Sequence, residues 1–225
     1  MNYRILLIAP LAAVVLSVSA AGLRVPAGWF VFSSPPASSP VGGYEIGIDP
    51  ASEAGGTPSL TVHSVGTTVP MSPMSFGVAE QSVTGYGGKR VCFSGQLKAE
   101  SLRGWAGLFL GEGDPGQLAG LMGARPGAEK QVPPGTAVPA DGGWHEVSVV
   151  LDVPADTPRI DFGLALTGEG QVWARDLHFE IVGPEVAPTT TRLGIDLPEI
   201  RRTLAWTNAQ SRRYPPAPLQ NPALD

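Results

Sequence analysis

The sequence predicts an all-β protein: an antiparallel β-sandwich of the jelly-roll type, with a short C-terminal helix and a disordered tail. Three observations favour this fold class. Apolar and polar residues alternate with period two along many short segments, as in strands that bury one face. The 225 residues include 29 Gly and 23 Pro, which indicates frequent turns. Strand patterns also do not alternate with helical ones, so a parallel α/β sheet is not expected.

The clearest strands lie between Trp144 and Val182. Three runs alternate there, over residues 147–153, 160–166 and 172–181. Turns are predicted at Pro154 to Pro158 and at Gly168 to Gly170, because both breaks are rich in turn-forming residues. In the third run, Trp173 is out of phase with Val172 unless the strand bulges near Arg175 and Asp176.

Six earlier segments also have strand patterns, which gives about nine strands in all. They are residues 29–32, 44–48, 60–64, 76–83, 89–98 and 105–110. In the last of them, Ala106, Leu108 and Leu110 share one face, which places Trp105 and Phe109 on the other. Residues 111–143 then form a long irregular segment rich in Gly, Pro and Ala, of a length that is usually functional or disordered.

The chain begins with a pattern typical of an export signal. Arg4 precedes an apolar run from Ile5 to Val18, and Val18-Ser19-Ala20 fits a small-residue cleavage site. We therefore predict a signal peptide over residues 1–20 and a periplasmic or extracellular mature protein. The apolar run is shorter than the roughly 20 residues that a membrane span needs, so no span is expected after cleavage. A retained anchor is the alternative that the sequence leaves open.

After this signal, a β-sandwich domain is predicted over residues 21–183, and a linker, a short helix and a flexible tail over 184–225. The helix, Pro198 to Arg213, has Pro in its first turn and Arg in its last, as helix termini favour. From Tyr214 onward the chain is rich in Pro and is predicted to be disordered.

The charge, the single cysteine and the histidine spacing argue against several classes of function: nucleic-acid binding, thiol catalysis and a histidine metal site. The net charge is −5, so nucleic acid is not an expected partner. Cys92 is the only cysteine and alternates with Val91 and Phe93 in a strand, which favours a small buried residue over a catalytic thiol. His63, His145 and His178 have no metal-site spacing.

Several short motifs resemble known domains. They are Lys89-Arg90-Val91, Trp105-Ala106-Gly107-Leu108, Leu151-Asp152-Val153-Pro154 and Gly170-Gln171-Val172-Trp173. They resemble the jelly-roll, galactose-binding-like modules that include carbohydrate-binding modules. They are still more similar to an uncharacterised bacterial domain that is sometimes labelled a transcriptional regulator. The regulator label does not carry over, because the sequence has no helix-turn-helix pattern and begins with an export signal.

The resemblance implies a carbohydrate or another small ligand, and it also implies a possible structural calcium as the one cofactor. Asp49 and Asp176 are the candidate calcium ligands. Arg175 departs from the resemblance, since an acidic residue is usual at its position. The segment from Gly111 to Pro139 departs as well, because it lacks the usual sequence of the domain.

The leading hypothesis is an exported, non-catalytic module that binds such a ligand. Its candidate residues are Trp105, Phe109, Arg90 and Gln96, because aromatic faces stack on sugars and polar groups orient them. Core packing is the alternative for the tryptophans. No catalytic motif is present, so an enzyme is the second hypothesis: a glycan hydrolase would need two carboxylates across one cleft, drawn from Asp152, Asp161, Asp176 and Glu180. A structural, envelope-associated interaction protein is the third.

Overall fold

The computed structural model of the chain describes residues 22–54, 56–66, 75–111, 138–189 and 217–224. These residues form seven strands and one helix: β1 (Phe30–Ser34), β2 (Gly43–Ile48), α1 (Pro50–Ala54), β3 (Leu60–Val65), β4 (Phe76–Thr84), β5 (Arg90–Gly111), β6 (His145–Asp152) and β7 (Arg159–Ile181). The predicted signal peptide, the helix at 198–213 and most of the long loop lie outside the described residues. No helix in the described ranges is long and apolar enough to cross a membrane.

The long strands β5 and β7 run antiparallel along nearly their whole length and join two layers of sheet. The first half of β7 pairs with β4 and with the second half of β5, which builds a four-stranded layer in the order β1-β4-β7-β5. The second half of β7 pairs with β3 and with the first half of β5. This builds a five-stranded layer in the order β2-β3-β7-β5-β6. The predicted antiparallel β-sandwich is thus confirmed.

The predicted turn at Gly168 to Gly170 is wrong. The chain does not turn back there; it continues as one strand that passes from one layer to the other. The partner strand makes the same passage through an irregularity between Glu100 and Arg103. At Gly104, φ is +147° and a Cβ would lie 2.0 Å from the carbonyl oxygen of Thr167, so only glycine allows this close crossing.

The bulge that the sequence leaves open near Arg175 and Asp176 is present in the structure. The register between β5 and β7 shifts between Ser94 and Gln96, and Asp176 has φ +50°. The shift changes the phase of β7, so that Val172 and Leu177 both face the core. Trp173 and Arg175 consequently point to the opposite, outer side of the five-stranded layer.

The main core fills the space between the layers, and the aromatic ring of Phe162 lies at its centre. Phe162 stacks on Phe179 with a centroid distance of 4.3 Å and makes edge contacts with Phe93 at 4.8 Å and Trp29 at 6.1 Å. The alternating residues of the predicted strands supply this core, including Ala106, Leu108 and Leu110, as expected. Cys92 is buried, which raises the pKa of its thiol.

Residues 217–224 correct the prediction of a disordered tail. They lie along the end of β4, with Leu224 fully buried in the main core and Leu219 packed against it. A Pro-rich composition predicts the absence of regular secondary structure, but a segment without helix or strand can still dock in a groove. We call residues 217–224 the strap.

Candidate functional site

The outer side of the five-stranded layer carries polar side chains at regular spacing. Its residues come from the polar phase of β2, β3, β5 and β7, the phase opposite to the core. We call this surface the polar face; its members include Glu45, Thr61, His63, Gln96, Lys98, Glu100, Gln171, Trp173 and Arg175. Neighbouring strands therefore present hydrogen-bonding groups side by side.

Two tryptophans and two cations form a stacked row on this face. The ammonium nitrogen of Lys98 lies 4.0 Å from the ring centroid of Trp173 and 5.9 Å from that of Trp144. The guanidinium carbon of Arg175 lies 4.0 Å from the ring of Trp144. These are cation–π distances, and they hold both cations in place against the rings. Trp144 stays partly exposed, whereas Trp173 is only 9% exposed.

Hydrogen bonds fix the orientation of this row. The indole N–H of Trp173 donates to Oδ2 of Asp49 at 2.7 Å. Arg175 donates from Nε and Nη2 to Oε1 of Gln96, at 3.0 and 2.9 Å. Since each of these side chains has a partner, the aromatic surfaces sit in a preorganised arrangement.

A polar cleft of about 420 Å³ opens at one end of the polar face, where β5 and β7 cross between the layers. Its walls include His63, Ser64, Glu100, Arg103, Glu169 and Gln171. Glu100 pairs with Gln171 across the sheet, two residues along each strand from the Lys98–Trp173 pair. Gln171 also pairs with His63 of β3. The cleft and the tryptophan row are therefore one continuous surface.

The side chains that line the cleft are braced by the neighbouring strands. Gln171 donates from Nε2 to Oγ1 of Thr61 at 3.1 Å, and the Thr61 hydroxyl donates to the Val172 carbonyl at 2.9 Å. Ser64 Oγ exchanges hydrogen bonds with the backbone of Gly170. Two ion pairs close the rim, Lys98–Glu100 at 3.1 Å and Arg103–Glu169 at 3.6 Å. The cleft thus offers both donors and acceptors in fixed positions.

The segment that carries Trp144 is held by a small hydrogen-bonded turn. Oδ1 of Asp141 lies 2.8 Å from Nε2 of His145 and accepts the backbone N–H of Gly143 at 2.9 Å. The hydrogen bond with His145 lowers the pKa of Asp141, and the hydrogen bond from Gly143 makes a smaller contribution in the same direction. Through this hydrogen bond, His145 anchors the segment that leads to Trp144.

The four ligand-binding residues predicted from the sequence lie in different places. Gln96 is on the polar face, where it accepts from Arg175. Trp105 and Phe109 lie on the outer side of the four-stranded layer in a second apolar cluster with Phe76, Val78 and Ala165. Phe109 is buried there and Trp105 partly buried. The structure therefore does not bring the four residues together.

Arg90, the fourth predicted residue, is bound within the protein. Nε and Nη2 donate to the two carboxylate oxygens of Asp152, at 2.6 and 2.9 Å, and Nη1 donates to the carbonyls of Pro184 and Val186. The fork geometry of this pair raises the pKa of Arg90 and lowers the pKa of Asp152. Arg90 thus fastens the segment after β7 to the start of β5.

The predicted calcium ligands also have other partners. Oδ1 of Asp49 accepts the N–H of Ala51 at the start of α1, and Oδ2 accepts from Trp173. Asp176 is exposed and lies 3.8 Å from Arg175. In the described ranges, groups of three or more His, Cys, Asp or Glu residues that suit a metal ion are not found.

The four carboxylates considered for hydrolysis do not line the cleft. Asp152 is paired with Arg90, and Asp161 is buried on the outer side of the four-stranded layer beside Ser82 and Arg159. Asp176 and Glu180 are exposed on β7. The cleft is lined instead by Glu100 and Glu169, and each of them is ion-paired.

The central residues of the site escaped the sequence reasoning, namely Trp144, Trp173, Lys98 and Arg175. A signal was present, because Lys98 and Trp173 both occupy the polar phase of their strands. Arg175 also departs from the pattern that the sequence resembles, in which an acidic residue is usual at this position. What a single sequence cannot give is the register that places Lys98 opposite Trp173.

No family model matches the chain. A curated relative, the uncharacterized HTH-type transcriptional regulator YbfP of Bacillus subtilis (strain 168), is 26% identical over 174 residues, which are 74% of this chain. The chain spans about half the length of this relative, 52%. The helix found in the described residues is five residues long, so this part of the chain contains no helix-turn-helix.

Two solved structures are similar at a low level. A CBM4 module is 12% identical with a TM-score of 0.43, over 68% of this chain and 86% of that one. The CBM22-1-GH10 modules of the Clostridium thermocellum endo-1,4-β-D-xylanase 10B, solved with xylohexaose, are 15% identical with a TM-score of 0.42. That match covers 74% of this chain and 28% of the xylanase chain. Likeness of this size does not assign the chain to either group.

Proposed function

We propose that this protein is an exported, non-catalytic module that binds a carbohydrate on the polar face and in the adjoining cleft. One observation supports the proposal above all others: partly exposed Trp144 and the braced cleft of Glu100 and Gln171 lie on one continuous surface. Sugars present apolar C–H faces and polar hydroxyl edges, so a surface that joins a ring to fixed donors and acceptors suits them.

The hydrogen-bonding groups match hydroxyl ligands. A hydroxyl both donates and accepts, and the cleft supplies carboxylate oxygens from Glu100 and Glu169 together with the amide of Gln171 and the imidazole of His63. Because several of these groups are braced by neighbours, a ligand would bind with little loss of side-chain freedom. Export is supported by the N-terminal segment alone, in which Arg4 precedes an apolar run and a small-residue site.

Binding is favoured over catalysis by the partners of the two cleft carboxylates. Glycoside hydrolysis needs one carboxyl that donates a proton and a second that acts as base or nucleophile. Glu100 lies 3.1 Å from Lys98 and Glu169 lies 3.6 Å from Arg103, so each carboxylate already has a cationic partner. Carboxylates held in ion pairs at the rim suit the recognition of hydroxyl groups.

The experiment is a glycan array with the purified protein, followed by calorimetry with each oligosaccharide that binds. Glu100→Gln and Gln171→Ala should each weaken binding while the fold is kept. His178→Ala is the matched control, since His178 is exposed on the same strand beyond the bulge. The proposal fails if no glycan binds, or if the control weakens binding as much as the cleft variants do.

A further inference from the structure

The strap, residues 217–224, lies in a groove whose side chains form hydrogen bonds with its main chain. The groove is formed by Trp29, Gln81 and Thr84, at the end of the sandwich where β4 leaves the sheet. The strap runs antiparallel to β4, because Ala217 bonds Thr84 and Gln220 bonds Gln81. It thus occupies the place of an added strand, although the side chains of β4 supply part of the pairing.

Gln81 is the central recognition group of this groove. Its Oε1 accepts the backbone N–H of Gln220 at 3.1 Å, and its Nε2 donates to the carbonyl of the same residue. One side-chain amide therefore satisfies both main-chain groups of a single strap residue, as a neighbouring strand would. Gln81 is only 3% exposed, and a buried amide without partners is costly, so the groove is built for a peptide main chain.

Two more contacts repeat this mode of recognition. The backbone N–H of Thr84 donates to the carbonyl of Ala217 at 3.0 Å, and the N–H of Ala217 donates to the Thr84 hydroxyl at 3.1 Å. The indole N–H of Trp29 donates to the carbonyl of Asn221 at 3.0 Å. All of these bonds are made to strap main-chain atoms, so they specify the backbone path and not a side-chain sequence. The strap is extended over residues 217–220 and then turns, since the N–H of Leu224 donates to the carbonyl of Asn221 at 3.4 Å and Asn221 has φ +40°.

Side-chain selectivity comes from apolar anchors and prolines. Leu224 is fully buried and Leu219 packs against the core, so two leucines supply the apolar contacts. Pro218 favours the extended conformation of residues 217–220, and Pro222 lies in the turn that follows. Both prolines fix φ, which reduces the entropy lost on docking. Gly28 lets the strap approach closely, since a Cβ there would lie 2.6 Å from Cβ of Gln220.

We propose that this groove is a peptide-binding site and that the strap is its intramolecular ligand. The ligand class is a peptide that is extended up to the bonded residue and turns after it, with proline on either side of that residue and leucine anchors, as in Ala-Pro-Leu-Gln-Asn-Pro-Ala-Leu. The contacts described lie within eight residues, so a separate peptide of the same sequence makes the same bonds. It competes with the strap for the groove.

The test uses the full chain with Leu224→Asp, which removes the buried anchor of the strap. The indole N–H resonance of Trp29 reports occupancy of the groove in an NMR spectrum of ¹⁵N-labelled protein, and Trp29→Phe assigns it. The acetylated peptide of residues 217–224 is titrated into the variant. We expect the resonance to return to its wild-type position in a saturable, one-to-one manner. If Leu224→Asp does not fold, the full chain with Gln220→Pro takes its place.

Two altered peptides make the result specific. A peptide with Gln220→Ala keeps the backbone N–H and should bind as the natural peptide does. A peptide with Gln220→Pro lacks that N–H and leaves Oε1 of Gln81 without its donor, so its affinity should fall about tenfold or more. Equal affinity of the two peptides, or a titration without saturation, would overturn the proposal.

Discussion

Trp173 and Asp49 lie 124 residues apart in the sequence and are joined by a hydrogen bond of 2.7 Å from the indole N–H to Oδ2. The other carboxylate oxygen of Asp49 accepts the N–H of Ala51 at the start of α1. A single aspartate therefore couples the first turn of a short helix to the tryptophan row of the polar face. Both carboxylate oxygens of Asp49, for which the resemblance implies a calcium ion, therefore have partners within the protein.

Replacing Asp49 tests this coupling. Asp49→Ala removes the helix cap and the acceptor for Trp173, so we expect the free energy of unfolding to fall by about 1–2 kcal/mol. Urea denaturation followed by tryptophan fluorescence measures the change. Asp49→Asn keeps an oxygen acceptor and should lose less. A melting temperature that rises with calcium in the wild type, but not in Asp49→Ala or Asp176→Ala, would instead support the calcium site.

Trp144 offers a direct test of where a ligand binds. If a sugar stacks on its ring, Trp144→Ala should weaken the affinity about 2- to 10-fold, the range expected for one aromatic contact. Calorimetry with the oligosaccharide found on the array measures this. Trp105 is the comparison, because it packs on the outer side of the four-stranded layer. Trp105→Ala should lower the melting temperature and leave the dissociation constant unchanged; the reverse pattern would move the site to the other layer.

Gly104 tests how the strands cross between the layers. In Gly104→Ala the new Cβ would lie 2.0 Å from the carbonyl oxygen of Thr167, and φ there is +147°. The backbone must shift, so the free energy of unfolding should fall by about 1–3 kcal/mol or more. Gly22→Ala is the control, since a Cβ at Gly22 meets no atom within 4 Å. Equal stability of the two variants would contradict the described crossing.

The Arg90–Asp152 pair sets a dependence of stability on pH. Hydrogen bonding to Arg90 lowers the pKa of Asp152 in the folded state, whereas the unfolded chain has the ordinary value of about 3.9. The stabilisation is therefore present above that value and is lost as the pH falls through the folded-state pKa. Denaturation midpoints from pH 7 downward should decline more steeply in the wild type than in Asp152→Asn. Parallel curves would show that the pair does not contribute.

Much of the fold could be predicted from the sequence because strand alternation is a local property. Ala106, Leu108 and Leu110 share one face, as their alternation predicts, and the structure places that face in the core. The passage at Gly168 to Gly170 was mistaken for a turn, since glycines mark a turn and a close strand crossing equally well.

The site was harder to predict, because it depends on which strands are neighbours. The polar phase of β5 and of β7 is visible in the sequence, yet nothing local says that Lys98 faces Trp173 or that Arg175 covers Trp144. The prediction that Arg90 and Trp105 bind a ligand rests on residue type alone. Residue type does not reveal that Arg90 donates four hydrogen bonds inside the protein.

The sequence by itself determined the all-β class, the strand phases, the acidic charge and the export-like N-terminal pattern. All of these depend only on composition and on the order of neighbouring residues. The tertiary structure alone decided three things: the joining of two strand pairs into β5 and β7, the docking of the strap, and the meeting of the tryptophan row with the cleft. The physical reason is the same in each case. These features arise from contacts between distant segments, and their register is set by long-range packing that no local pattern contains.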